Sequence, residues 1–222
     1  MKRHAATPSS DSEIGTMATA TFGMGCFWTP DAYYGHLPGV LRTRVGYGGG
    51  TTAAPVYRAM GDHTETVQVD YNPALIGYDE LLEAFWGRHN PDNLLDYKGN
   101  QYRSLILYHT EEQRVAIEAW RQRFAEQGRP LAATAVLPCT SWHLAEERHQ
   151  KYYLKRYTDA YRRALELYGS ETALTDGTLA ARLNGIAKGF ASAERLRAEL
   201  TCWPISAQER ERYEKLVRSI KW

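Results

Sequence analysis

Along residues 18–25 (ATATFGMG) small β-prone and apolar residues alternate and end in a glycine directly before Cys26. That pattern predicts a strand running into a turn, with Cys26 opening a helix. Trp28, Ala32, Tyr33 and Leu37 then recur at near-helical spacing until Pro38-Gly39 stops the pattern. Residues 40–46 (VLRTRVG) alternate again, and the run Gly48-Gly49-Gly50 with the stretch through Pro55 reads as a mobile loop beside a site. TETVQVDY, from Thr64 to Tyr71, alternates as a strand closed by Asn72-Pro73, and YDELLEAFWGR places Leu81, Leu82, Phe85 and Trp86 on one stripe of a helix.

After a polar stretch from His89 to Asn100, RSLILY predicts another strand, and Thr110 followed by Glu111, Glu112 and Gln113 starts a helix with a capping signature. Residues 133–137 read as a short strand, and residues 144–168 read as helical throughout. The tail from Leu179 to Trp222 is expected to hold two helices divided near Cys202-Trp203-Pro204. The order β-α-β-β-α-β with added helices predicts an α+β two-layer sandwich with a ferredoxin-like core and a C-terminal extension. Three regions are expected: a disordered tail over residues 1–16, a catalytic unit over 17–168, and a helical extension over 169–222 packed on the same unit.

Composition narrows the class. Of 222 residues, 43% are hydrophobic and 24% charged, and 27 basic side chains stand against 26 acidic ones. A net charge of +1, with Arg and Lys interleaved with Glu, offers no field for nucleic acid. No apolar run reaches the roughly 18 residues of a membrane span, and the opening MKRHAATPSSDSEIG has no apolar core of a secretory signal. A soluble, cytoplasmic, monomeric protein is expected. Three cysteines are too few for a disulfide framework and suit a compartment where thiols stay reduced. The histidines, His63, His143 and His149 among them, do not combine with cysteine at zinc-like spacing, so no metal is expected.

Chemistry centres on Cys26. A cysteine at a helix N-terminus faces unpaired backbone N–H groups and the positive end of the helix dipole, which favour thiolate. A lone cysteine is more often a small buried apolar residue, so the weight of the reading lies in its neighbours. Phe27 and Trp28 follow it directly.

The run GCFW, LPGV, RVGYGGG, PVYRAM, DHTETVQVDYNP, LLEAFW, GNQYRS and AEERHQKYYL, in that order from Thr21 to Leu154, resembles the A-class peptide-methionine sulfoxide reductases. Any one piece is weak; several in sequence are specific. The resemblance implies that Cys26 attacks the sulfoxide, that Phe27 and Trp28 receive the substrate's methyl group, and that Glu65 protonates the sulfoxide oxygen. It further implies that Tyr57 and Tyr102 donate hydrogen bonds to that oxygen, that Asp96 helps to bind the substrate, and that the S epimer is reduced. This assignment suits the substrate, which joins one polar S=O bond to an apolar S-methyl. Two departures stand out: Asp96 lies six residues before Tyr102 where the family has five, and Thr29-Pro30 follows FW where a glycine is common. Proline is tolerated there because a first-turn N–H has no intrahelical partner.

Oxygen transfer leaves a sulfenic acid, and turnover needs a second thiol. Cys202 and Cys139 are the candidates within the chain, with Cys202 preferred, and an external thiol can act in their place. No cofactor is expected beyond an external dithiol reductant such as thioredoxin. Two other readings stand beside this one: a cysteine hydrolase using His63 or His149 as base, and a module that binds methionine sulfoxide without turning it over.

Overall fold

The computed structural model describes residues 17–91, 96–128 and 133–222; the tail expected over residues 1–16 lies outside the described residues. The strands are β1 (Ala18–Met24), β2 (Val40–Gly48), β3 (Thr64–Tyr71), β4 (Ser104–Tyr108), β5 (Ala135–Pro138) and β6 (Trp142–Leu144). They form one sheet in the order β5-β4-β1-β3-β2-β6. Its four central strands, β4-β1-β3-β2, are antiparallel to their neighbours, which is the ferredoxin-like arrangement expected from the element order. β5 adds in parallel to β4, and β6 adds antiparallel to β2.

The helices α1 (Trp28–Gly35), α2 (Tyr78–Arg88) and α3 (Glu111–Glu126) supply the second layer. Alternation in the strands puts Ala20, Phe22, Val67, Val69 and Ile106 on one face, where they pack against Tyr34, Leu81, Leu82, Phe85 and Ile117. The stripe expected of α2 is thus the one buried. At the start of α3 the Thr110 side chain accepts from the Gln113 N–H, whereas the Gln113 side chain reaches past the cap to accept from the His109 N–H.

The continuous helix expected over residues 144–168 is not formed. Trp142–Leu144 pairs with β2 as a strand, a 3-10 turn covers Glu147–His149, and helix resumes only as α4 (Tyr152–Lys155) and α5 (Thr158–Tyr168). Two side chains account for the interruption. Gln150 takes the place of a ladder partner, accepting from the Val45 N–H and donating to the Val45 and Ala145 carbonyls. Lys151 adopts a left-handed conformation (φ 50°), uncommon for a residue with a Cβ, and its fully buried ammonium donates to Asp31 Oδ1 (3.0 Å) and to the Thr43 carbonyl. These tertiary bonds outweigh the local helical preference.

The C-terminal part is α6 (Glu171–Asp176), α7 (Thr178–Lys188), α8 (Ala193–Leu200) and α9 (Ala207–Ser219). The break at Cys202-Trp203-Pro204 falls between α8 and α9 as expected, but Gly189 in the left-handed region ends α7 early, so three helices replace two beyond Leu179. Leu154 of α4 and Ala160 of α5 join Leu174, Leu179, Leu183 and Leu196 in a second apolar cluster. α7 lies directly on α1, where Gly35 and Gly185 leave room for the opposing backbone: a Cβ at Gly185 would stand 2.5 Å from His36 Cβ. Arg182 of α7 satisfies the end of α1 by donating to the Gly35 carbonyl (2.7 Å), and to the Val40 carbonyl (2.9 Å), while paired with Glu199.

Candidate active site

β1 ends at Met24, Gly25 turns with φ 80°, and Cys26 follows at the surface just before Phe27, the N-cap of α1. β3 runs antiparallel to β1 and delivers Glu65 to the same place on the helix side of the sheet. Glu65 is 1% exposed, and its Oε2 accepts from the Phe27 N–H (3.1 Å) while Oε1 accepts from Gln101 Nε2 (2.8 Å). The helix start that carries the thiol is therefore tied to the carboxyl.

This tie changes the expected electrostatics of Cys26. Burial around the sulfur pushes the thiol up to about 11, and the neighbouring charge of Glu65 adds to the rise, while the Trp28 backbone N–H works in the opposite direction. The helix N-terminus does not win, for two reasons. Its first free N–H is committed to Glu65, and that carboxylate places negative charge where the dipole offers positive. In the unliganded site the group is a thiol rather than the thiolate expected from its position.

Phe27 is buried, with Tyr47, Met60 and Ala145 around it, and Trp28 and Tyr57 pack on the same cluster. His149 fills the space between their rings, 5.4 Å from Phe27, 6.0 Å from Trp28 and 4.7 Å from Tyr57. Burial lowers its pKa, so the imidazole is neutral and serves as an aromatic wall. Tyr57 is set by Glu146, which accepts from the Tyr57 N–H (3.1 Å) and from the Tyr47 hydroxyl (2.6 Å). Burial would raise the Glu146 carboxyl, but the hydrogen bonds from the Tyr47 hydroxyl, its own backbone and the Tyr57 N–H hold it below the usual range. Tyr102 ends the 3-10 segment before β4, and its hydroxyl faces that of Tyr57. Its phenol is pushed up by burial first and then by Glu65, Cys26 and Tyr57, so all four groups bear on one point.

The loop after β2 is cross-tied, contrary to the mobile loop expected from its glycines. Asp62 accepts from the backbone and hydroxyls of Thr51 and Thr52, and Val56 bridges to Ala59. His63 accepts from the Gly50 N–H at Nδ1 and donates to the Thr52 carbonyl from Nε2. With both nitrogens engaged His63 is no base for Cys26, His149 Nε2 accepts from Arg148, and among the described residues neither histidine is hydrogen-bonded to the thiol as a hydrolase requires. Among the described residues no group of three or more His, Cys, Asp or Glu is arranged to hold a metal.

Asp96 opens the 3-10 segment Asp96–Tyr102, and its side chain lies outside the described residues. The candidate resolving cysteines stand apart from Cys26, and all three cysteines are free. Cys139 N–H donates to the Tyr108 carbonyl at the end of β4, whereas Met24, next to the site, pairs with Ser104 at its beginning. Four residues of strand, roughly 13 Å, separate those ends. Cys202 follows α8, whose Glu199 is held by Arg182 at the C-terminal end of α1, while Cys26 precedes the other end about 12 Å away. Disulfide formation needs Cα atoms within about 7 Å, and neither Cys139 nor Cys202 is bridged to Cys26 in this arrangement. Sequence reasoning gave Glu146 and Gln150, within AEERHQ, only a scaffold role; the structure shows what they hold, Tyr47 and Tyr57 for the first and Val45 for the second.

Comparison with known proteins converges on one family. The family model for peptide methionine sulfoxide reductase matches residues 18–176. A peptide methionine sulfoxide reductase of Drosophila melanogaster is 41% identical over 206 residues, covering 92% of this chain and 82% of that protein. The MsrA of Methanothermobacter thermautotrophicus is 41% identical over 145 residues, covering 61% and 86%. Methionine sulfoxide reductase A of Corynebacterium diphtheriae superposes with a TM-score of 0.55 at 29% identity, covering 68% of this chain and 83% of that one. The family model, the relatives and the fold agree, and the chain belongs to the peptide methionine sulfoxide reductase family.

Proposed function

We propose that the chain reduces methionine S-sulfoxide in peptides and proteins, with Cys26 as the nucleophile. The observation that carries this reading is the convergence of the Cys26 thiol, the buried Glu65 carboxyl and the Tyr57–Tyr102 hydroxyl pair beside an aromatic wall. The S-methyl group packs against Phe27 and Trp28, and the sulfoxide oxygen accepts hydrogen bonds from Tyr57 and Tyr102. Glu65, a carboxylate in the unliganded site, takes up the Cys26 proton as the substrate binds and gives it to that oxygen. With its proton passed to Glu65, the Cys26 sulfur attacks, and a Cys26 S–O bond forms as the substrate S–O bond breaks. The thiol is oxidised by two electrons to sulfenic acid, and the sulfoxide is reduced to methionine.

An external dithiol, of which thioredoxin is an example, completes the cycle. One of its thiols displaces water from the sulfenic acid, and the second releases Cys26 as the dithiol closes to a disulfide. The separation of Cys139 and Cys202 from Cys26 supports direct reduction from outside. Three free cysteines suit the reducing cytoplasm, and no helix among the described residues is long and apolar enough to cross a membrane. Asp96 assists in holding the substrate backbone, and the extension over residues 169–222 is part of the same folded unit.

The test incubates the protein with a methionine sulfoxide peptide and dithiothreitol and follows methionine. Conversion that disappears in Cys26→Ser supports the reading; unchanged conversion in that variant refutes it. A module that only binds the sulfoxide would hold the peptide and release no methionine.

A further inference from the structure

Next to the Cys26 pocket, on the side of α4 and α7, opens a cleft of about 610 Å³, within the range of roughly 300–1,000 Å³ that binding clefts occupy. Trp28 belongs to both, since it packs on the aromatic wall beside Cys26 and also lines the cleft. The indole stacks flat on Tyr152, with centroids 3.7 Å apart and planes 3° from parallel. Tyr153 is fixed by a hydrogen bond between its hydroxyl and Thr29 Oγ1 (2.8 Å), which gives a role to the threonine that replaces the usual glycine.

Two cations face the same space. Lys188 places its ammonium 4.8 Å from the Tyr153 ring, and Arg156 donates to the Tyr152 hydroxyl (3.1 Å). Neither has an ion-pair partner among the described residues, whereas the adjacent Lys155 is paired with Glu171 at 3.0 Å. The remaining lining residues are Tyr157 and Ala187, so no carboxylate lines the cleft. Cations over tyrosine rings keep their charge available at the surface while their stems cover apolar area. Such a cleft suits a ligand that is part apolar and part anionic.

We propose that this cleft is a subsite for the polypeptide flanking the oxidised methionine, selecting chains that carry Asp or Glu within a few residues of it. The proposal rests on the reading that the Cys26 pocket takes methionine sulfoxide. A peptide with its sulfoxide in that pocket crosses Trp28 to leave it, and Trp28 forms the near wall of the cleft. Lys188 and Ala187 belong to α7, which follows the 18–176 stretch matched by the family model, so one wall of the subsite is built by the C-terminal extension.

The test compares peptides of equal length in which methionine sulfoxide is flanked on both sides by Glu or by Lys, with dithiothreitol as the reductant so that no protein partner is involved. N-acetylmethionine sulfoxide amide serves as the substrate that has no flanking chain. The expected result is a kcat/KM about three- to tenfold higher for the Glu peptide, arising in KM and shrinking as salt is added. The double variant Arg156→Glu with Lys188→Glu, both exposed positions, reverses that preference and turns over the small amide at the unaltered rate. Equal rates for the two peptides, or a variant that slows the small amide as much as the Glu peptide, would overturn the proposal. Failure of the unaltered protein to reduce even the small amide refutes the reading of the Cys26 pocket itself, and the subsite with it.

Discussion

Exchanging one sulfur for oxygen in Cys26→Ser removes the atom proposed to accept the substrate's oxygen, and reduction of a sulfoxide peptide is expected to fall to background. Glu65→Gln keeps the shape and the bond to the Phe27 N–H but cannot give up a proton, so kcat is expected to drop by about 10²–10⁴. Tyr57→Phe and Tyr102→Phe each delete one donor, with an expected loss of about 2- to 10-fold for each. The thiol has its own signature. Because burial, and then Glu65, push Cys26 up to about 11, its alkylation by iodoacetamide should keep accelerating with pH beyond the ordinary thiol value and level off only near 11. In Glu65→Gln the charge that adds to the rise is gone, and the alkylation curve should move to lower pH; a curve that stays in place contradicts the electrostatic account. The same shift lowers stability between the ordinary thiol value and about 11, where the unfolded chain gives up its proton before the folded one does.

Elements explain how the residues meet. The antiparallel pairing of β1 with β3 brings Glu65 beside the turn that holds Cys26, although the two are 39 positions apart in the chain. α1 is held at both ends: its first N–H groups include one bonded to Glu65, and its last carbonyls are met by Arg182. The close approach of α1 and α7 depends on two positions without a Cβ, Gly35 and Gly185. Gly185→Leu drives a side chain into His36 and the Ala32 carbonyl and is expected to cost about 1–3 kcal/mol, measured as a lower denaturation midpoint with an unchanged m-value. Most of the core elements were legible from alternation and from the α2 stripe, since those periods report local geometry. Residues 144–168 were not legible in the same way. Their apolar spacing fits a helix, but Gln150 and Lys151 find better partners on β2 and α1 than the helix offers.

Across the whole molecule, the sheet and the C-terminal helices meet at a buried polar cluster. Asp31 accepts from Thr43 Oγ1 (2.6 Å), Lys151 Nζ (3.0 Å) and Asn184 Nδ2 (3.0 Å), joining α1, β2, the approach to α4, and α7. Lys151→Met leaves the Asp31 charge buried without its cation, and a loss of about 3–5 kcal/mol is expected in urea unfolding. Ending the chain at residue 177 uncovers the face of α1 beneath α7 and the apolar cluster around Leu154 and Leu174. A clear fall in melting temperature is expected, together with loss of activity before the melt as α1 loosens. A truncated chain as stable as the whole would show that the extension is a separate unit.

The amino-acid sequence by itself determined which segments become strands and helices in the core, and the ordered motifs around Cys26, Glu65, Tyr57 and Tyr102 carried the family resemblance. Those properties are local or are written residue by residue, so they survive without coordinates. Tertiary structure alone decided the protonation of Cys26, the tying of the glycine-rich loop and the break at Lys151. Each of these is a balance between groups far apart in the chain, in which burial and a distant partner outweigh what the nearest neighbours prefer.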